Sequence, residues 1–344
     1  MKRYAYLLVF CALALAVFIL APHHKRPRNI ILIGWDAASR GTVRSLLAQG
    51  RLPNLKALVS RGALVDIDAQ RRTDTAAGWA EILTGYPPED TGVCCNAHYQ
   101  AIPQGYTVFE RLKDFFGKEN FVTLAAISKK HHMDCTPAQK YDRMEDVPQE
   151  HQGVVRPDGR GVYFPGAPFA NAKGTMDVFA NDLRSNDRVL KVALKLLEQY
   201  RNKPFFFFIH FGDIDGAGHQ YGGISPQVND AIISCDTCLG ALMQKLKEYG
   251  IYDKTLLYIT ADHGLDKDVV CPGHHNAALI FLATNNARVI RRGTRIDITP
   301  TILDDFGIDL GKIRPELPGR ALTNLKRCRY CIRVHEGSGG EEGQ

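Results

Sequence analysis

The 344-residue sequence has no internal repeat, no strong bias in glycine or proline, and almost no excess charge of either sign once its first 28 residues are set aside. Ordinary glycine and proline usage, with 45% hydrophobic and 23% charged residues, excludes fibrous and disordered classes and leaves a globular chain able to bury a sizeable core. The formal charge of +6 does not make the chain a polyanion binder. Five of its 43 basic residues (Lys2, Arg3, Lys25, Arg26 and Arg28) fall in the acid-free first 28 positions, leaving 38 basic against 37 acidic residues in the body. No basic stripe with interleaved aromatics occurs there, so a nucleic-acid polymer is not an expected partner. The basic residues Lys326, Arg327, Arg329 and Arg333 solvate the C-terminal region instead.

What is present begins with an uncharged run of 18 residues at 4–21, about 27 Å long as a helix. That length nearly spans a bilayer. No small-x-small cleavage site closes the run, so it reads as a retained signal anchor, with a cleaved signal peptide and secretion as the alternative. The expected organisation is an anchor and basic linker over 1–28, a folded domain over 29–335 with an insertion or cap at about 91–173, and a disordered tail over 336–344. The body would then be membrane-anchored and extracytoplasmic, in a periplasm or outside the cell. Nine cysteines include the vicinal Cys94 and Cys95 and two C-x-x-C pairs. Cys235 and Cys238 lie in a helical stretch with no second pair at zinc spacing and read as helix-core thiols. Cys328 and Cys331 are candidates for a disulfide in an oxidising compartment.

Short apolar runs at 29–34 (NIILIG), 121–127, 205–211 (FFFFIHF), 255–260 (TLLYIT) and 277–283 (AALIFLA) have the character of strands buried on both faces. Another strand is expected at 63–67. Helical patterns at 42–48, 53–60, 75–83, 177–200, 227–249 and from about Pro300 alternate with them. This order predicts an α/β fold, a doubly wound, mostly parallel sheet with helices on both faces.

Acidic and histidine residues recur at the ends of these strands: Asp36 after NIILIG, Asp213 and Asp215 after FFFFIHF, Asp262 and His263 after TLLYIT, and His274 and His275 shortly before AALIFLA. In a doubly wound sheet such ends share the ligand-binding edge. Carboxylates and imidazoles gathered there suit zinc or a similar divalent ion, with ligands enough for two. The i, i+4 spacing of Asp215 and His219 in DGAGH lets one loop or first helical turn present both. The candidate nucleophile is Thr75, where a helix begins in TDTAAGWAEILTG; Thr73 is its rival. The ordinary role of such a threonine is an N-cap. A free threonine hydroxyl is a poor nucleophile at neutral pH, and a divalent ion activates it by lowering its pKa. Trp79 reads as core, while Lys129, Lys130, His131 and His132 follow a strand where they would either reach a substrate phosphate or sit in solvent.

The motifs GWDAASRG, TDTAAGWAEILTGYPPEDTGV, DIDGAGHQYG, TADHG, GHHN and DITPTILDDFGI resemble, in that order, the alkaline phosphatase superfamily and its type I phosphodiesterase and nucleotide pyrophosphatase branch. The resemblance implies an alkaline phosphatase-like fold and two divalent ions, zinc or alternatively manganese. One ion would be held by Asp36, Thr75, Asp262 and His263, the other by Asp215, His219 and His274, with His275 as the alternative to the last. It also implies a phosphodiesterase or pyrophosphatase acting through a phosphothreonine intermediate on a small-molecule or lipid-linked phosphate ester. The other reactions it allows are those of a phosphomonoesterase, a phosphonate hydrolase or an envelope headgroup transferase. Two departures narrow this. Gly78 stands where nucleotide pyrophosphatases carry an asparagine, which argues against nucleotides, and a sulfatase C/S-x-P-x-R context is missing around Thr75.

Overall fold

The computed structural model describes residues 26–69, 73–266 and 277–323. The expected anchor at 4–21, His274, His275, Cys328, Cys331 and the tail lie outside the described residues. Among the described residues no helix is long and apolar enough to cross a membrane.

In chain order the strands are β1 (Asn29–Trp35), β2 (Ala63–Asp68), β3 (Val122–Ile127), β4 (Gln139–Tyr141), β5 (Arg156–Asp158), β6 (Gly161–Phe164), β7 (Val178–Ala180), β8 (Phe205–Phe211), β9 (Thr255–Thr260), β10 (Leu279–Thr284) and β11 (Gly293–Thr294). The helices are α1 (Arg40–Ala48), α2 (Pro53–Val59), α3 (Thr75–Thr84), α4 (Pro88–Thr91), α5 (Val108–Phe116), α6 (Asn186–Tyr200), α7 (Asp213–Tyr221), α8 (Pro226–Glu248) and α9 (Ile298–Asp305).

Every residue of β1, β3 and β8 is buried, because a strand with no polar face is stable only where helices cover both sides. The main sheet has eight strands in the order β11-β2-β10-β9-β1-β8-β3-β7. The neighbours β9, β1, β8, β3 and β7 are mutually parallel, and so are β2 and β11. Only β10 runs against its partners β9 and β2. Helices α3, α5 and α9 form one contacting set and α1, α2, α6, α7 and α8 another. The first set packs on the side of Phe206 and Phe208, which meet Phe109 of α5 and Trp79 of α3 edge-on or tilted.

Two segments differ from the sequence reading. The expected helix at 177–200 starts only at Asn186, and β7 takes the earlier part as an edge strand. Asp182 and Arg184 between them have φ of 57° and 70°, and two left-handed residues interrupt a right-handed helix. Within 91–173, β3 joins the main sheet and the unanticipated α5 packs beside it, while β4, β6 and β5 form a separate antiparallel sheet. Cys235 and Cys238 are free, buried thiols in α8, as expected of helix-core positions.

Candidate active site

The register of β1 sets the level of the site. Gly34 pairs with Thr260 of β9 and Trp35 with Phe211 of β8, so Asp36, Asp262 and the start of α7 leave the sheet side by side. Asp36 N–H donates to Phe211 O at 3.0 Å, and Ala37 then adopts φ 65°, turning its N–H toward Asp262 Oδ1 at 3.3 Å. Because β10 is antiparallel, the N-terminal end of that strand reaches the same edge. Gly264 N–H donates to Ala277 O and Ala69 N–H to Ala278 O, each at 2.7 Å.

Asp36, Asp262 and His263 are completely buried, with one ligand atom from each lying within 4.8 Å of the others. His263 Nε2 is 3.6 Å from Asp36 Oδ1, 3.4 Å from Asp262 Oδ2 and 3.1 Å from Thr75 Oγ1. His263 Nδ1 lies 2.8 Å from Gly264 O. A carbonyl only accepts, so Nδ1 carries the proton and the lone pair of the neutral ring is on Nε2, facing the oxygens. Asp262 Oδ2 is buried without a hydrogen-bond partner. Burial, and after it the charge of Asp36, pushes the Asp262 carboxyl up to about 8. Burial alone would lower His263, but Asp262, Asp36 and Asp215 outweigh it and the net shift is upward. Buried carboxylates that repel one another around an imidazole lone pair are a donor set that fits a divalent cation.

Thr75 is buried at the first helical position of α3, and the N-cap is Asp74, so the expected capping role does not fall to Thr75. Its hydroxyl is directed instead at His263. The neighbouring Ala76 N–H donates to Asn96 Oδ1 at 2.9 Å. The rival Thr73 precedes the helix.

Asp215 and His219 lie one turn apart on α7, with His219 Nε2 3.2 Å from Asp215 Oδ1. The bond to Asp215 raises the half-exposed His219. Burial and Asp36 would raise Asp215, but His219 and Lys129 prevail and its net shift is downward. Lys129 is not in solvent: its ammonium pairs with Asp215 and stands 3.8 Å from Asp36 Oδ2. Lys130 pairs with Glu150 at the surface, and His131 is exposed. Trp79 is core, packed 5.1 Å from Phe208.

Three residues at the site escaped the sequence reading. His210, hidden inside an apolar strand, places Nε2 3.4 Å from Asp36 Oδ2 and Nδ1 2.9 Å from Ser128 Oγ. Asn96 reaches the N-terminus of α3 from a loop without a motif of its own. Arg295, fully buried, donates to Asp262 O at 2.8 Å. A lone polar residue in a hydrophobic run was the available signal for His210.

Gly78 has no room for a side chain. A Cβ there would lie 2.8 Å from Asp262 Cβ and 3.0 Å from Arg295 Nη1, so the position is closed by the protein itself.

Residues 30–302 match the family described as type I phosphodiesterase / nucleotide pyrophosphatase. Ectonucleotide pyrophosphatase/phosphodiesterase family member 3 of Mus musculus is 26% identical over 220 residues, which is 63% of this chain and 22% of that protein. The bis(5'-adenosyl)-triphosphatase of Pongo abelii is 22% identical over 245 residues, 70% of this chain and 48% of the other. The chain thus spans 22% to 48% of the length of these curated relatives. A solved structure of a protein in the alkaline phosphatase superfamily from Vibrio parahaemolyticus has a TM-score of 0.57 at 17% identity, covering 89% of this chain and 72% of that one. With the fold shared and most of the chain matched, the protein belongs to the type I phosphodiesterase / nucleotide pyrophosphatase family.

Proposed function

We propose that the chain is a divalent-metal-dependent hydrolase of phosphate esters, foremost a phosphodiesterase or pyrophosphatase, with Thr75 as nucleophile. The observation that carries this reading is the meeting of Asp36, Asp262 and His263 within 4.8 Å, with Thr75 Oγ1 3.1 Å from His263 Nε2. Asp36, Thr75, Asp262 and His263 hold one ion. Asp215 and His219 hold a second with His274, which lies outside the described residues. Zinc fits both sets and manganese is the alternative. When bound, the ions neutralise phosphoryl charge and acidify the threonine hydroxyl.

The protein's own groups do the rest. Thr75 starts α3, whose N-terminal dipole favours an anionic phosphoryl group beside the hydroxyl. Asn96 is held at the start of α3 by the Ala76 N–H and is a further candidate to meet the phosphoryl group there. Thr75 Oγ1 gives up its proton and bonds to phosphorus as the bond to the leaving oxygen breaks and that oxygen takes up a proton; water then loses a proton and displaces Oγ1, which is reprotonated, in a second step. Two inversions give net retention at phosphorus. Holding nucleophile and phosphate together on a rigid sheet edge supplies proximity without reorganisation.

Replacing Thr75 with alanine is expected to abolish turnover of chromogenic phosphodiesters while metal content, measured by elemental analysis, stays close to that of the parent. Near-normal turnover in Thr75→Ala would remove the nucleophile from the scheme.

Lys129 supports a second reading, phosphomonoester hydrolysis. Its ammonium sits among Asp36 and Asp215, and a further fixed cation benefits a dianionic phosphoryl group more than a monoanionic one. Paired mono- and diester substrates separate the two. In either reading the substrate is a small or lipid-linked phosphate ester, and the segment 4–21 anchors the catalytic body to a membrane on its extracytoplasmic side.

A further inference from the structure

Arg295 has no exposed surface, yet it belongs to no ligand set. It opens a 3-10 turn, Arg295–Asp297, that is pinned from several sides. Asp297 accepts from Thr294 N–H at 2.9 Å and from Arg320 N–H at 2.7 Å, and Arg291 Nη1 lies 3.4 Å away. From this anchored turn the guanidinium reaches two elements at once. Its Nε donates to Glu81 of α3 at 2.8 Å, and its Nη1 to the main-chain carbonyl of Asp262 at 2.8 Å.

Gly78, one turn before Glu81 on α3, makes the approach possible. A Cβ at this position would be 3.0 Å from both Arg295 Nη1 and Asp262 O. A buried ion pair is a poor device for stability alone, since apolar residues of similar volume often serve as well. An apolar pair cannot grip a carbonyl at a fixed angle, whereas the planar guanidinium fork can.

Resting on the metal-dependent reading above, we infer that Arg295 is a positioning residue of the reaction: with Glu81 as its anchor and Gly78 as its clearance, it locks the Asp262–His263 backbone to the helix that carries Thr75. The nucleophile helix and the ligand loop are thereby held as one unit, and the orientation of Asp262 and His263 toward Thr75 is fixed from behind.

The test uses the full chain and two metal probes, Zn2+ titrated against a chromogenic chelator and Co2+ followed by its visible absorption. Arg295→Met is expected to weaken the tighter ion by about 10- to 100-fold, the usual effect of losing an outer-shell partner, and to alter the Co2+ bands. Its kcat should fall more than its KM rises. Arg295→Lys, which offers a charge without a fork, should remain weakened by about tenfold or more. If Arg295→Met does not fold, Glu81→Gln is read in the same way, since it keeps the guanidinium and removes its charged anchor. Folded variants with parental Zn2+ affinity and an unchanged Co2+ spectrum would overturn the positioning role alone. Failure of the parent protein to take up either metal would overturn the metal-dependent reading, and this inference with it.

Discussion

Asp305 and Asp262 each carry a carboxyl group out of water, and burial pushes the first up to about 6 and the second up to about 8. They differ in what surrounds them. Asp305 receives hydrogen bonds from the Tyr258 hydroxyl, from Asn286 Nδ2 at 2.9 and 3.0 Å and from Arg288 Nη1 at 3.1 Å, a structural network whose donors offset part of the effect of burial. Asp262 instead faces another buried carboxylate and an imidazole. The sign of the Asp305 effect follows from linkage. Its folded value of about 6 exceeds the ordinary 3.8, so between those limits the folded state holds the proton more strongly. Stability from this group is fully present below pH 4 and is lost as pH rises to about 6, by roughly 3 kcal/mol. Urea unfolding of the parent and Asp305→Asn at pH 4, 5 and 7 should show a shallower decline in the variant. Parallel curves would refute the assignment.

At the scale of elements, α5 illustrates a helix that the sequence reading passed over although its start was written in the residues. Thr107 Oγ1 accepts from Glu110 N–H at 3.3 Å, while Glu110 Oε2 accepts from Thr107 N–H at 3.0 Å, a reciprocal capping box. The signal T-V-F-E lies in a stretch rich in turn residues, and that setting masked it. Thr107→Ala is expected to cost about 1 to 2 kcal/mol, measured as a lower urea midpoint with unchanged slope. No change would mean that packing on β3 alone sustains the helix. The direction of β10 was likewise illegible in AALIFLA, because an apolar run buried on both faces reads the same in either sense. Its antiparallel placement between β9 and β2 is what brings Ala277 and Ala278 to the edge where Asp36 and Asp262 leave the sheet.

For the whole molecule, the proposed ions join elements distant in sequence: the ends of β1 and β9, the start of α3 and the first turns of α7. Anything that binds the folded state and not the unfolded one stabilises it by mass action, about 2.7 kcal/mol at a hundredfold excess over Kd. Removing metal with a chelator should therefore lower the melting temperature by several degrees, and Zn2+ should restore it. Thr75→Ala should retain most of this response, because Asp36, Asp262 and His263 remain. A melting temperature indifferent to chelator and metal would contradict the metal-dependent reading.

The alternation of buried strands and helices and the position of Asp36, Asp215, His219, Asp262 and His263 just past strand ends are legible in the residues themselves, since hydrophobic period and punctuation are local properties. So is the place of Thr75 as the first residue of its helix. Tertiary structure alone decided what those residues meet. It set His263 Nε2 against Thr75, turned Lys129 from solvent onto Asp215, brought His210 beside Asp36, and filled the space over Gly78 with Arg295. Such contacts join residues far apart in the chain, as Arg295 does with Glu81 across 214 positions. No local pattern encodes such a separation, because it is fixed by which strands pair and by how each helix crosses the sheet.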